Sequence, residues 1–116
     1  MCHITDQIRE EKKEDVFLLF QKIGCYKDNE IQHDLPDPLT LKSVSQEDCA
    51  RACALEEKGY SFFGLQNANQ CYCGHHYGKY GKAEDGMCNM KCRDNKDENC
   101  GGKASNVVYF FGLGKL

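Results

Sequence analysis

Eight cysteines crowded between positions 25 and 100 leave this chain few ways to fold. They fall as Cys25, Cys49-x3-Cys53, Cys71-x-Cys73, Cys88-x3-Cys92 and Cys100, and a ninth, Cys2, stands far from the rest. Structural zinc asks for CxxC pairs, or Cys pairs followed by spaced His, and no CxxC occurs here. An even set of cysteines in a short chain reads instead as a disulfide framework of four bridges, with Cys2 left over, free or intermolecular. The 116 residues suffice for one modest domain. A domain of that size buries only ~60–70% of its unfolded surface, so cross-links matter. Each bridge is worth about 2–4 kcal/mol. Reduction is therefore expected to unfold the module, and the folded form belongs in an oxidising compartment, secreted or at the cell surface.

Other classes are disfavoured by charge and hydropathy. Fifteen basic and 18 acidic residues give a net charge of -3, and no basic run exceeds two residues. Nucleic acid and anionic membrane are poor partners for such a surface. No run approaches the ~18 apolar residues of a membrane span, so membrane insertion is not expected. Residues 1–15 are too polar for a signal peptide. An oxidised module needs export, so the expectation is a precursor that begins elsewhere. No N-x-[ST] acceptor is present.

Along the chain, residues 1–22 read as an arm preceding the domain. Over residues 4–23 the apolar positions Ile4, Ile8, Phe17, Leu18, Phe20 and Ile23 fit a helical face only loosely, and Thr5 could cap it. The expectation is a solvated helix or partly ordered arm, with self-association as the sharper reading. Ile23–Tyr26 reads as a strand and 28–40, with two prolines, as a loop pinned by Leu35, Leu39 and Leu41. Ser45–Lys58 is the clearest helix. Ser45 caps it with Asp48 three residues on, alanines fill 50, 52 and 54, and Gly59 supplies the left-handed exit. Tyr60–Gln66 and Gln70–Gly74 read as an antiparallel pair about an Asn67-Ala68-Asn69 turn. Residues 74–87 and 88–100 read as polar loops, Gly101-Gly102 as a tight turn, 106–111 as a closing strand and 112–116 as a tail.

Helix and hairpin geometry already suggests how some cysteines meet. Cys49 and Cys53, four apart, share one helix face, and Cys71 and Cys73, two apart, share one strand face. The expected bonds are Cys49–Cys71 with Cys53–Cys73, or the crossed pair, and geometry does not choose between them.

The cysteine-bearing segments resemble the WSC domain. The matching pieces are Gly24-Cys25-Tyr26 with Asp28, Cys49-Ala-Arg-Ala-Cys53, Gly59-Tyr-Ser-Phe-Phe-Gly-Leu-Gln66, Cys71-Tyr-Cys73-Gly74, Cys88-Asn-Met-Lys-Cys92 and Cys100-Gly-Gly102, with 105–109 similar to the closing strand. The resemblance covers roughly residues 23–110, within a domain expected over 23–111. It implies the pairing Cys25–Cys88, Cys49–Cys71, Cys53–Cys73 and Cys92–Cys100. It also implies an α+β, PAN/apple-like fold, with one main helix packed on a short antiparallel β-sheet. The implied function is non-catalytic carbohydrate binding to cell-surface, cell-wall or matrix polysaccharide. The alternative is an extracellular protein-interaction or structural module, since some receptors use the domain that way. Two loops depart from the family pattern, at His33-Asp34-Leu35 and at Arg93-Asp94 after Cys92.

A sugar site needs a flat apolar group for the C–H face and polar groups for the hydroxyls. The candidates are Tyr72, Tyr77 and Tyr80, with Gln66, Asn67, Asn69 and His75 as hydrogen-bond partners. Tyr72 must face away from the cysteines, where it either meets ligand or packs against the N-terminal arm or a loop. Tyr26, beside Cys25, reads as core. There is no Trp, so a single module should bind weakly, at ~0.1–1 mM, and gain strength by avidity. His75-His76 lacks a metal-binding context, and Asp94, Asp97 and Glu98 lack the calcium-loop spacing. No metal or cofactor is expected. Glycosidic hydrolysis needs two carboxylates about 5–10 Å apart in a cleft, and a chain this short has little material for one, so no enzymatic activity is expected. A small secreted protein acting alone is a third, weaker reading.

Overall fold

The computed structural model describes residues 16–115. Its elements are β1 (Val16–Lys27), β2 (Asp37–Leu39), α1 (Gln46–Leu55), β3 (Phe62–Gln66), β4 (Gln70–Gly74), β5 (Lys91–Cys92), β6 (Asn95–Asn99) and β7 (Ser105–Lys115), with one 3-10 turn at Asp85–Met87. Five strands form an antiparallel sheet in the order β1-β7-β3-β4-β2, and β5 and β6 form a separate two-stranded ribbon. One helix on one small antiparallel sheet is the α+β architecture expected.

The helix begins where its cap predicts. Ser45 is extended, and its Oγ accepts the Asp48 N–H at 3.1 Å. The Asp48 carboxylate takes the Ser45 hydroxyl at 2.8 Å rather than a backbone N–H. Two further acceptors come from the distant ribbon: Glu98 takes the Gln46 N–H at 2.8 Å and Asp94 the Val44 N–H at 2.6 Å. These carboxylates satisfy and charge-complement the start of α1. The helix ends at Leu55, three residues before Lys58, and Glu57 and Gly59 carry the left-handed exit at φ 56° and 72°.

The strands divide the apolar residues between two faces. Phe63, Leu65, Val107, Tyr109 and Phe111 face α1 and form the main core with the cysteines. Phe63 stacks on Tyr109 at 4.8 Å, and Phe20 meets both rings edge-on. Tyr72, Val108 and Leu35 form a smaller cluster on the outer face, joined by Ile23, Tyr26 and Phe62. The four bridges are Cys25–Cys88, Cys49–Cys71, Cys53–Cys73 and Cys92–Cys100, the uncrossed set that the resemblance implied.

Residues 16–22 are strand, not helix, and they pair with β7 residues 109–115. The run Val16-Phe-Leu-Leu-Phe is rich in strand formers, and pairing with β7 overrides the loose helical spacing. A bulge between Lys22 and Gly24 shifts the alternation, so Phe20 before it and Cys25 after it both face α1. The same pairing extends β7 to Lys115, where a tail was expected. Residues 1–15, with the expected cap at Thr5, lie outside the described residues. The polar stretch 88–100 also contains structure, the β5–β6 ribbon closed by Cys92–Cys100.

Candidate functional site

Past the end of β4 the chain turns through residues 75–82 and meets the loop 28–36 that follows β1. Two aspartates tie these loops together. Asp28 accepts the Asp34 N–H at 2.7 Å and pairs with His33 Nδ1 at 2.6 Å, its own side chain being 1% exposed. Asp34, itself buried, accepts the Gly78 N–H at 2.8 Å and the Lys79 N–H at 2.9 Å. The Tyr80 hydroxyl closes the same corner by donating to the Gln32 carbonyl.

This junction forms a shallow cleft of about 380 Å³ lined by Asp34, Pro36, His75, His76, Tyr77 and Lys79. The Tyr77 ring, 37% exposed, rests edge-on against Tyr26 at 5.1 Å and Phe62 at 4.8 Å. Phe62 in turn meets the half-exposed Phe110 at 6.1 Å. A row of aromatic rings therefore runs over the outer face of the sheet and ends at the cleft. Each Asp34 oxygen takes one N–H, which leaves acceptor capacity in the wall. His75 is held in place: its Nε2 lies 2.9 Å from the Lys58 carbonyl, and its ring 5.0 Å from Tyr60. Tyr60 donates its hydroxyl to Asp37, and that bond, with burial second, pushes its pKa up to about 12.

Tyr77, Tyr80 and His75 are thus brought together at one end of the hairpin. Gln66, Asn67 and Asn69 sit at the other end, about 20 Å along β4 by strand rise. Gln66 is buried and contacts the Lys103 carbonyl at 3.4 Å, while Asn67 adopts φ 55° in the turn and its N–H goes to the Gly102 carbonyl. Tyr72 faces away from the cysteines, as its position demands. Its ring is only 6% exposed, because His33 covers it at 4.6 Å. Burial, with the Asp28 charge second, raises its pKa.

Sequence reasoning missed Asp34, Lys79, Phe62 and Phe110. Phe110 was legible from alternation with Val107, Tyr109 and Phe111. Asp34 carried no signal except its place in a departing loop. The other departure is structural: Arg93 bonds Asp94 and the Lys42 carbonyl, anchoring the ribbon beside α1. Asp94 and Glu98 serve the helix start, and Asp97 sits in a local turn with Asn95.

Comparison with known proteins bears on what such a surface serves. The family model described as "WSC domain" matches residues 22–102. The chain is 31% identical over 97 residues to "Xylosyltransferase oxt" of Drosophila melanogaster, covering 81% of this chain and 11% of that protein. It is 31% identical over 94 residues to "Kremen protein 1" of Homo sapiens, covering 75% and 19%. It is 32% identical over 90 residues to "WSC domain-containing protein" of Arthroderma benhamiae, covering 74% and 12%. The chain thus spans less than a fifth of the length of these relatives. Among the described residues, no helix is long and apolar enough to cross a membrane.

Proposed function

The chain belongs to the WSC domain family, and on that premise we propose that it is a non-catalytic carbohydrate-binding module, extracellular or at the cell surface, whose sugar site is the cleft beside Tyr77. The observation that carries this reading is the pairing of an exposed, edge-supported Tyr77 ring with the Asp34 carboxylate in one cleft. The sugar's C–H face lies on the Tyr77 ring. Its hydroxyls donate to Asp34 and accept from Lys79 or from a histidine of the His75-His76 pair. The relatives named xylosyltransferase support the sugar side of this reading. With one exposed Tyr and no Trp, affinity is weak, at ~0.1–1 mM, and avidity supplies the rest.

A glycan array carrying chitin, beta-glucans and galactans, followed by titration, tests it. Tyr77→Ala should weaken binding about tenfold or more, a loss of about 1.4 kcal/mol, while Asn69→Ala at the far hairpin tip leaves it unchanged. No binding at about 10 mM ligand would exclude the reading. The half-exposed Phe110 favours a second one, a protein-interaction module. A protein partner captured in pull-downs by the native chain and by Tyr77→Ala, but lost with Phe110→Ser, would support it.

A further inference from the structure

β1 lies at the edge of the sheet. Its C-terminal end is covered, since Tyr26 bridges Lys82, the Lys27 N–H reaches the Gly81 carbonyl and the Cys25 carbonyl accepts from Ala83. Residues 16–22 have no such cover among the described residues. Beyond Phe111, whose N–H still reaches the Ser61 carbonyl at 2.9 Å, β7 pairs only with β1, so this end of the sheet is a two-stranded ribbon. Such ribbons are marginal in water. Natural edges are protected by proline, inward charge, bulges or short length. Here the open stretch has no proline, its one charge is Lys22, and the bulge comes after it. Phe17 and Leu19 on its outer face are 39% and 53% exposed.

We propose that two copies of this chain pair antiparallel along β1 across a two-fold axis, joining their sheets into one. An antiparallel strand pair is itself two-fold symmetric, so an edge can serve as its own partner. The sequence is self-complementary in the register centred on Leu18. Leu18 faces Leu18 of the second copy, and Phe17 faces Leu19 in both directions, so each of these pairs is apolar and lies on one face. A second copy supplies this match without any further sequence requirement, which is why it is the occupant the edge fits.

Light scattering and sedimentation of the chain over a range of concentrations test the pairing, with Cys2→Ser removing any covalent route to dimers. The expected result is a concentration-dependent species at twice the 13.2 kDa of the chain. Phe17→Glu alone and Leu19→Lys alone should each weaken it at least tenfold. The double variant should restore it, because Glu at 17 then faces Lys at 19 of the other copy. Far-UV circular dichroism confirms that each variant is folded. A chain that stays monomeric throughout overturns the proposal, whether another segment of the same chain or a different protein covers the edge. A dimer insensitive to both edge variants but lost with Leu55→Lys, on the helix side, overturns it too.

Discussion

Gly101 and Gly102 follow the last cysteine in space that no side chain can share. A Cβ at Gly101 would lie 2.1 Å from the Leu65 carbonyl oxygen, and one at Gly102 1.8 Å from that of Met87. Gly101 also has φ 83°, where L-residues are strained. The clashing atoms are backbone, so relief requires moving β3 or the 3-10 turn. Either Gly→Ala change should cost about 3 kcal/mol or more, read as a lower chemical-denaturation midpoint or as loss of folded protein. Tyrosine ionisation is a second test at this scale. The Asp37 hydrogen bond at Tyr60, and burial followed by the Glu98 charge at Tyr109, push both hydroxyls up to about 12. A raised tyrosine pKa means that the folded state holds its proton longer. The stability this contributes is present below the ordinary value of 10 and is lost as pH rises from there through about 12. In an absorbance titration, Tyr60 and Tyr109 should ionise late, near pH 12, and Tyr60→Phe should remove one late step.

The helix depends on groups that arrive from elsewhere in the chain. Ser45→Ala removes its cap and should cost about 1 kcal/mol in denaturant titration. Asp94 adds a pH dependence. The Val44 N–H, then Arg93, hold its carboxyl below the ordinary value of 3.8. Its contribution is therefore present above that value and is lost as pH falls through the folded one. Asp94→Asn should flatten the acid limb of a stability–pH curve. The α1 boundary was legible because Ser45 and Asp48 are local in sequence, whereas Asp94 and Glu98 reach it only after the ribbon folds. β1 was misread for a related reason. Phe17, Phe20 and Ile23 recur every three residues, a spacing that suits a helical face. In the strand that forms, Phe20 faces α1 while Phe17 and Ile23 lie on the outer face, an alternation that only pairing with β7 shows. The hairpin was plain, because alternation and the Asn67–Asn69 turn are both local.

Across the whole molecule, the bridges join segments that small-core burial alone holds weakly. Loop-closure entropy predicts their ranking. Removing Cys25–Cys88, with a separation of 63 residues, should cost most, about 4 kcal/mol, and Cys92–Cys100, with a separation of eight, least, about 2.5 kcal/mol. Paired Cys→Ser variants compared by thermal unfolding measure that order. Cysteine spacing made the helix-to-hairpin contact readable but left its crossed form open, and the full set of four bridges followed only from the resemblance to the WSC domain. The candidate site was only half readable. Tyr77, Tyr80 and His75 are close in sequence, but Asp34 reaches them by a contact over more than forty residues, and the cover of His33 over Tyr72 is a packing fact that no alternation pattern encodes.

The most direct measurement is a two-dimensional NMR titration of the oxidised chain with the oligosaccharide that scores highest on the array. The Gly78 and Lys79 amides donate to Asp34, so they report on that carboxylate. They should shift together with Tyr77 and His76, saturably and with millimolar or tighter affinity, while Asn67 and Asn69 stay fixed. Saturable shifts centred on the Asn67–Asn69 turn, with Gly78 and Lys79 unmoved, would contradict the assignment of the sugar site to this cleft.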